Sequence, residues 1–218
     1  PATAHAAIAN VQIEMGKAYV KIGEVDEASK IFEKTLEVQT KIFGPDHPDV
    51  SYTYAAMALM HLDLNEHDRA LELLDKALRI QLDSLPSSHA DFADTYRHFG
   101  DVHMAKGDID QALAYYQRAL DNQQKTLAWN HPAVAITYKT IAAAHRKRRD
   151  YKQALVLLQR LLDSERTRAK PGDASLSNAY KSLADVHLDK GDGDQYVHYS
   201  LQFIGNELHT KAHEHMSL

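Results

Sequence analysis

Four alanines, Ala28, Ala70, Ala112 and Ala154, stand at intervals of 42 residues. A register this regular over most of a chain marks a repeat array, in which each unit is one supersecondary element that buries its apolar face only against its neighbours. With Ala7 as the first position, later units begin at Asp49, Asp91, Ala133 and Ser175. Five units then cover residues 7–48, 49–90, 91–132, 133–174 and 175–216, within a single domain expected to span 1–218.

Each unit reads as two helices. Nine glycines and six prolines punctuate 218 residues, and apolar residues recur at three- and four-residue steps, the helical period. The first helix carries a stripe offset by 0, 4, 7 and 11: Val50, Tyr54, Met57 and His61; Phe92, Tyr96, Phe99 and His103; Val134, Tyr138, Ile141 and His145; Leu176, Tyr180, Leu183 and His187. Those offsets hold one face inward. The first unit has the weaker version Ile8, Gln12, Met15 and Tyr19, suited to an end. Beside the stripe lies a small residue, Gly16, Ala58, Gly100, Ala142 or Ala184, where two helices must approach closely and a larger side chain would overpack the contact.

Turns are expected at Gly23, Asn65, Gly107, Arg149 and Gly191, the position after a helix that favours Gly or Asn in a left-handed conformation; Arg149 departs from that preference. Second helices follow with an i, i+4, i+8 face: Ala28, Phe32 and Leu36; Ala70, Leu74 and Leu78; Ala112, Tyr116 and Leu120; Ala154, Leu158 and Leu162. In the fifth unit the alanine becomes Tyr196 and the next apolar position Ser200, which reads as a degenerate terminal hairpin whose outer face lacks a neighbour. The pattern predicts an all-α fold, a right-handed superhelical solenoid of five hairpins.

These small residues, turn positions and alanines together resemble the tetratricopeptide repeat. The linkers Phe43-Gly44-Pro45-Asp46-His47-Pro48-Asp49-Val50 and Trp129-Asn130-His131-Pro132-Ala133-Val134, with the 42-residue period, are similar to those of the kinesin light chain type of repeat. The resemblance covers essentially the whole chain and implies a non-catalytic module that binds proteins along a concave groove. Kinesin light chains resemble one another in a Leu-Asn-Asn tract facing that groove. Here the triplets are Tyr54-Ala55-Ala56, Tyr96-Arg97-His98, Tyr138-Lys139-Thr140 and Tyr180-Lys181-Ser182, so the groove differs in chemistry and the cargo preference does not carry over. The grip on a C-terminal carboxylate found in chaperone-linked repeats is also missing. Its place holds Arg97 with Asp101, then Thr140, then Asn178 with Ser182.

The residue after each inward tyrosine should face the groove, which places Arg97, Lys139 and Lys181 in one column, joined by Arg146 and Lys147, with Asp101 and Asp185 one turn along. Cations at repeat spacing can each meet a carboxylate and steer association. The expected peptide-binding groove therefore comprises Arg97, Asp101, Lys139, Arg146, Asn178 and Lys181, and the expected partner is an extended, acidic peptide or a partner helix. The competing reading of the column is a solvated helix face partly neutralised by those aspartates.

Other features narrow the field. The run Arg146-Lys147-Arg148-Arg149 closes a helix, where cations complement the negative end of its dipole; a formal charge of −5 and no interleaved aromatics argue against nucleic acid. Of 14 histidines, His61, His103, His145 and His187 fill one repeat column and His47, His89 and His131 another, and both columns read as structural. His209, His213 and His215 have ligand-like spacing in the tail but no flanking fold to fix them. There is no glycine-rich phosphate loop, GxSxG or HExxH, so neither enzyme nor cofactor is expected. With no cysteine, disulfides and thiolate metal sites are excluded and a reducing compartment fits. No run approaches the ~20 apolar residues that span a bilayer and no leader pattern is seen, so the cytoplasm is the expected location. Because the first residue is Pro1, the chain reads as a piece of a longer protein. An adaptor or scaffold is the leading function, and a self-assembling structural unit, a homo-oligomer, is the alternative.

Overall fold

The computed structural model describes the backbone of residues 2–170 and 172–216 and the side chains of residues 5–170 and 172–209. Among the described residues there are ten α-helices and no strand. They are α1 (Ala2–Lys21), α2 (Val25–Phe43), α3 (Pro48–Asp63), α4 (His67–Ser84) and α5 (Asp91–Lys106). The remainder are α6 (Ile109–Thr126), α7 (Pro132–Lys147), α8 (Tyr151–Arg168), α9 (Ala174–Lys190) and α10 (Gly193–Met216). The pairs α1–α2, α3–α4, α7–α8 and α9–α10 pack as hairpins, and α2 packs on α3, α4 on α5 and α8 on α9. The chain divides into two compact units, Pro1–Asn122 and Gln123–Leu218, with the division inside α6.

The alanine ladder is the seam of each hairpin. Ala28, Ala70, Ala112 and Ala154 are all fully buried at 0% exposure. The small residue of the first helix is matched to its opposite number sixteen positions on. A Cβ built on Gly16 would meet Phe32 Cε1 at 2.5 Å, and one on Gly100 would press into the Tyr116 ring. Where the small residue is Ala58 or Ala142, the opposing position holds the smaller Leu74 or Leu158. Volume is thus conserved across the contact, as close packing requires.

All five expected turn residues adopt a left-handed backbone, with φ of 86° at Gly23, 60° at Asn65, 88° at Gly107, 65° at Arg149 and 80° at Gly191. The next residue's N–H then donates to a carbonyl five residues back: Glu24 to Tyr19, Glu66 to His61, Asp108 to His103, Asp150 to His145 and Asp192 to His187, each at 2.8 or 2.9 Å. That closure satisfies carbonyls that a helix end leaves open. Arg149 holds this geometry at a steric cost that glycine avoids. Arg149→Gly is therefore expected to stabilise the second unit by roughly 0.5–1 kcal/mol, read as a higher denaturant midpoint with an unchanged slope.

Both histidine columns have local structural work. His47 Nδ1 accepts from Asp49 N at 3.2 Å, His89 Nδ1 from Asp91 N at 3.4 Å and His131 Nδ1 from Ala133 N at 3.2 Å, closing helix N-termini that begin, for α3 and α7, with proline. In the other column His61 pairs with Glu66 at 2.6 Å, His103 with Asp108 at 3.6 Å, His145 with Asp150 at 3.4 Å and His187 with Asp192 at 3.2 Å. The His61 and His187 hydrogen bonds tie the end of a first helix to the start of its partner, whereas His103 Nδ1 stays without a hydrogen bond among the described residues. Of the tail histidines, His209 is exposed in α10, whereas the side chains of His213 and His215 lie outside the described residues.

Two helices leave apolar faces open. Ile8 is 56% exposed, while its repeat equivalents Val50 and Val134 are at 0%. On α10, Ile204 is 50% exposed where Leu162 is at 1%. Val11 and Met15 extend the first stripe and Val197, Leu201 and Leu208 the second. The weak first stripe and the Tyr196 and Ser200 substitutions thus accompany uncovered apolar surface rather than a polar cap.

Candidate functional site

Within the second unit, α7 and α9 lie side by side over α8 and line two adjoining clefts of about 260 Å³ each. Lys139 and Asn178 line both. The first cleft adds Arg146, Lys181, Ser182 and Asp185; the second adds Ile136 and Arg168. Four residues expected from the sequence, Lys139, Arg146, Asn178 and Lys181, therefore share one groove.

Their electrostatic states differ. Arg146 Nε donates to Asp189 Oδ2 at 2.5 Å, and its Nη1 lies 3.6 Å from Asp185. The Asp189 hydrogen bond raises the Arg146 pKa, and the same bond holds the Asp189 carboxyl below its ordinary range. Arg146 is thus spoken for by α9. Lys139 and Lys181 are exposed and have no carboxylate partner among the described residues. Arg168, at the edge, is bound to Glu165 at 2.5 Å.

Arg97 and Asp101 belong to the first unit. Arg97 Nη1 donates to Asp101 Oδ2 at 3.1 Å, and Nη2 lies 3.7 Å from Asp94. Asp101 also accepts from the Tyr116 hydroxyl at 2.8 Å. Burial raises the Asp101 pKa against the opposing effects of Tyr116 and Arg97. Burial likewise raises the Tyr116 phenol, with Asp101 adding to the shift. The i, i+4 pairing of Arg97 with Asp101 leaves this cation already answered within its own helix.

Sequence reasoning did not find the cleft that the first unit forms across α1, α3 and α5, about 510 Å³ in volume. Its wall includes Ile13, Ala56, Tyr52, Gln81, Arg97 and His98. Burial pushes the His98 imidazole down to about 3, assisted by the charge on Arg97, so it is neutral at physiological pH. The available signal was a second 42-residue column, Gln39, Gln81, Gln123 and Glu165; polar residues at core register announce buried hydrogen bonding. Gln39 shows the pattern: its Oε1 accepts from Thr53 Oγ1 at 2.6 Å and its Nε2 donates to Asp49 O at 3.2 Å.

Among the described residues, no group of three or more His, Asp or Glu side chains is placed to hold a metal ion, and no helix is long and apolar enough to cross a membrane.

Comparison with known proteins agrees with this architecture. A search against curated proteins returns no match. Among solved structures, a kinesin light chain-type protein of Podosopora anserina with nearly identical TPR-like repeats superposes with a TM-score of 0.81 at 21% identity, covering 95% of this chain and 98% of that one. BtubC (BKLC) from P. vanneervenii gives 0.83 at 18% identity, over 95% and 82% of the two chains. Aspartyl phosphate phosphatase F from Bacillus subtilis gives 0.77 at 14% identity, over 92% of this chain and 50% of that one. At these identities the likeness is one of fold. The tetratricopeptide repeat model matches residues 7–83 and 91–166, most of the chain and four of the five 42-residue units. With consecutive hairpins, left-handed turns and matched small residues in the same register, the chain belongs to the tetratricopeptide repeat family, a typically non-catalytic protein–protein interaction fold.

Proposed function

We propose that this chain is a non-catalytic adaptor or scaffold whose second unit binds an extended acidic peptide in the groove between α7 and α9. The observation that carries the reading is the pair Lys139 and Lys181, unpaired among the described residues in a groove whose other cation, Arg146, is held by Asp185 and Asp189. Asn178 supplies an uncharged donor and acceptor between them, and Ile136 an apolar edge. A carboxylate on every second or third residue of an extended strand could meet the lysines in turn. Arg97 contributes less, because Asp101 and Asp94 already answer it. The reading places the protein in the cytoplasm, in keeping with a chain without cysteine.

Lys139→Glu with Lys181→Glu is expected to weaken binding of a fluorescein-labelled acidic peptide by about tenfold or more, from two lost attractions replaced by repulsions. Native binding should also weaken as salt rises. Anisotropy titration measures both. A folded double variant that binds as well as the native chain removes the proposal.

The open apolar faces favour a second reading, self-assembly. Ile8 and Met15 on α1 and Val197 and Ile204 on α10 occupy the two sides of the contact that successive hairpins make inside the chain. Copies joined head to tail would cover both faces, and such a heterologous contact propagates unless its rotation closes. Light scattering is expected to show a mass above 24.5 kDa that falls to the monomer value in Ile204→Glu; a concentration-independent monomer mass for the native chain rejects it.

A further inference from the structure

Two residues lining the first-unit cleft carry buried polar atoms without partners among the described residues, Gln81 Oε1 and His98 Nδ1. The surrounding bonds determine what each can do. Ser51 Oγ spends its proton on Pro48 O at 2.7 Å, so toward Gln81 it can only accept, and the contact at 3.4 Å must come from Gln81 Nε2. Gln81 Oε1 is therefore the atom left over, an acceptor in a side chain only 2% exposed. At the preceding junction Thr53 fills the same role for Gln39; Thr95, the equivalent threonine, leaves Gln81 Oε1 unfilled.

His98 is fixed by the same logic. Arg97 Nη2 lies 2.9 Å from His98 Nε2, and a guanidinium can only donate. Nε2 accepts, the ring proton sits on Nδ1, and Nδ1–H is an unfilled donor. Burial keeps the ring neutral.

The charged groups of the cleft have partners of their own. Glu14 pairs with Lys17 at 2.7 Å, Arg97 with Asp101 at 3.1 Å and with Asp94 at 3.7 Å, and the Asp91 carboxylate takes the Tyr52 hydroxyl. What is missing is a neutral group that presents an acceptor and a donor together. We infer that this cleft binds the side-chain carboxamide of an Asn or Gln in an extended peptide, its C=O accepting from His98 Nδ1–H and its NH2 donating to Gln81 Oε1. Ile13, Ala55 and Leu59 supply apolar wall for the aliphatic stem. A carboxylate cannot donate to Gln81, and an apolar side chain leaves both atoms unpaired at a buried site. The volume of about 510 Å³ lies within the range of ligand sites. This inference rests on the first unit and stands apart from the lysine groove.

The test titrates the full 15N-labelled chain with acetyl-Ala-Asn-Ala-N-methylamide and with its Asp and Leu counterparts, following backbone amides and imidazole nitrogens by NMR. The Asn peptide is expected to shift amides of α3 and α5 around the cleft and the His98 Nδ1 resonance. It should bind about tenfold or more tightly than either counterpart, since one buried group left unpaired costs at least that factor. His98→Phe with Gln81→Met should erase the discrimination while leaving the melting curve cooperative. Equal binding of the three peptides, absent binding of the Asn peptide, or shifts confined to residues outside the cleft overturn the inference. The peptide comparison on the native chain decides even where the variant fails to fold.

Discussion

Gly16→Ala is expected to destabilise the first unit by about 1–3 kcal/mol, the usual cost of forcing a methyl into a filled contact. The added Cβ would fall 2.5 Å from Phe32 Cε1, and Phe32 is at 0% exposure, so its ring has no open side to move into. Alanine's better helix propensity returns up to ~1 kcal/mol, which sets the low end of the net effect. Phe32→Leu in the same chain should recover most of the loss, because an alanine opposite a leucine is what Ala58 with Leu74 and Ala142 with Leu158 already use. The double-mutant cycle is expected to show a favourable coupling of about 1–2 kcal/mol, read from denaturant midpoints with unchanged slopes. Additive single and double variants would refute the volume-matching account.

Asn206→Ala carries a comparable effect in the second unit. The Asn206 amide donates to Asp173 O at 3.0 Å and to Ser177 Oγ at 2.8 Å, while its carbonyl accepts from Gly172 N at 2.8 Å. One buried side chain thus fastens α10 to the loop that enters α9. Truncation withdraws these hydrogen bonds at a site only 7% exposed, and a loss of about 2–4 kcal/mol is expected from the groups left unmet. Amide hydrogen exchange should accelerate first at the start of α9 and along α10, with a lower melting temperature for the unit. Asn206→Asp keeps the acceptor and loses the donors, so it should fall between alanine and the native residue. Unchanged protection at Ser177 in Asn206→Ala would show that the clasp contributes nothing.

Asn206 illustrates why part of the molecule was hidden in the sequence. Tyr196 and Ser200 break the ladder, and α10 accordingly read as a degenerate hairpin. Yet Asn206 reaches Ser177, 29 residues away, and Asn122, two repeats earlier, bonds Ser87 O at 3.3 Å in the same manner. The apolar ladder is conspicuous because hydrophobic burial follows a fixed helical period. A polar clasp is conspicuous only once its partner is known. The basic column shows the same limit: Arg97, Lys139 and Lys181 look equivalent in sequence, but i, i+4 geometry gives Arg97 a carboxylate in its own helix, whereas Lys139 and Lys181 have none among the described residues.

Local physics wrote the hairpins into the chain. The 42-residue period, the left-handed residues from Gly23 to Gly191, the histidine caps and the Gly or Ala beside each stripe all act within a few residues or across one tight turn. Their spacing alone specifies helix, turn and helix five times over. Whether a charge stays available or a buried polar atom stays unfilled depends instead on side chains brought together from different helices. Arg146 meets Asp189 across 43 positions and Gln81 meets Ser51 across 30, separations over which no periodicity indicates which atoms touch. The ladder of alanines therefore foretold the scaffold, while the two lysines of the α7–α9 groove and the orphaned pair in the first-unit cleft emerged when packing had decided which of their neighbours were already paired.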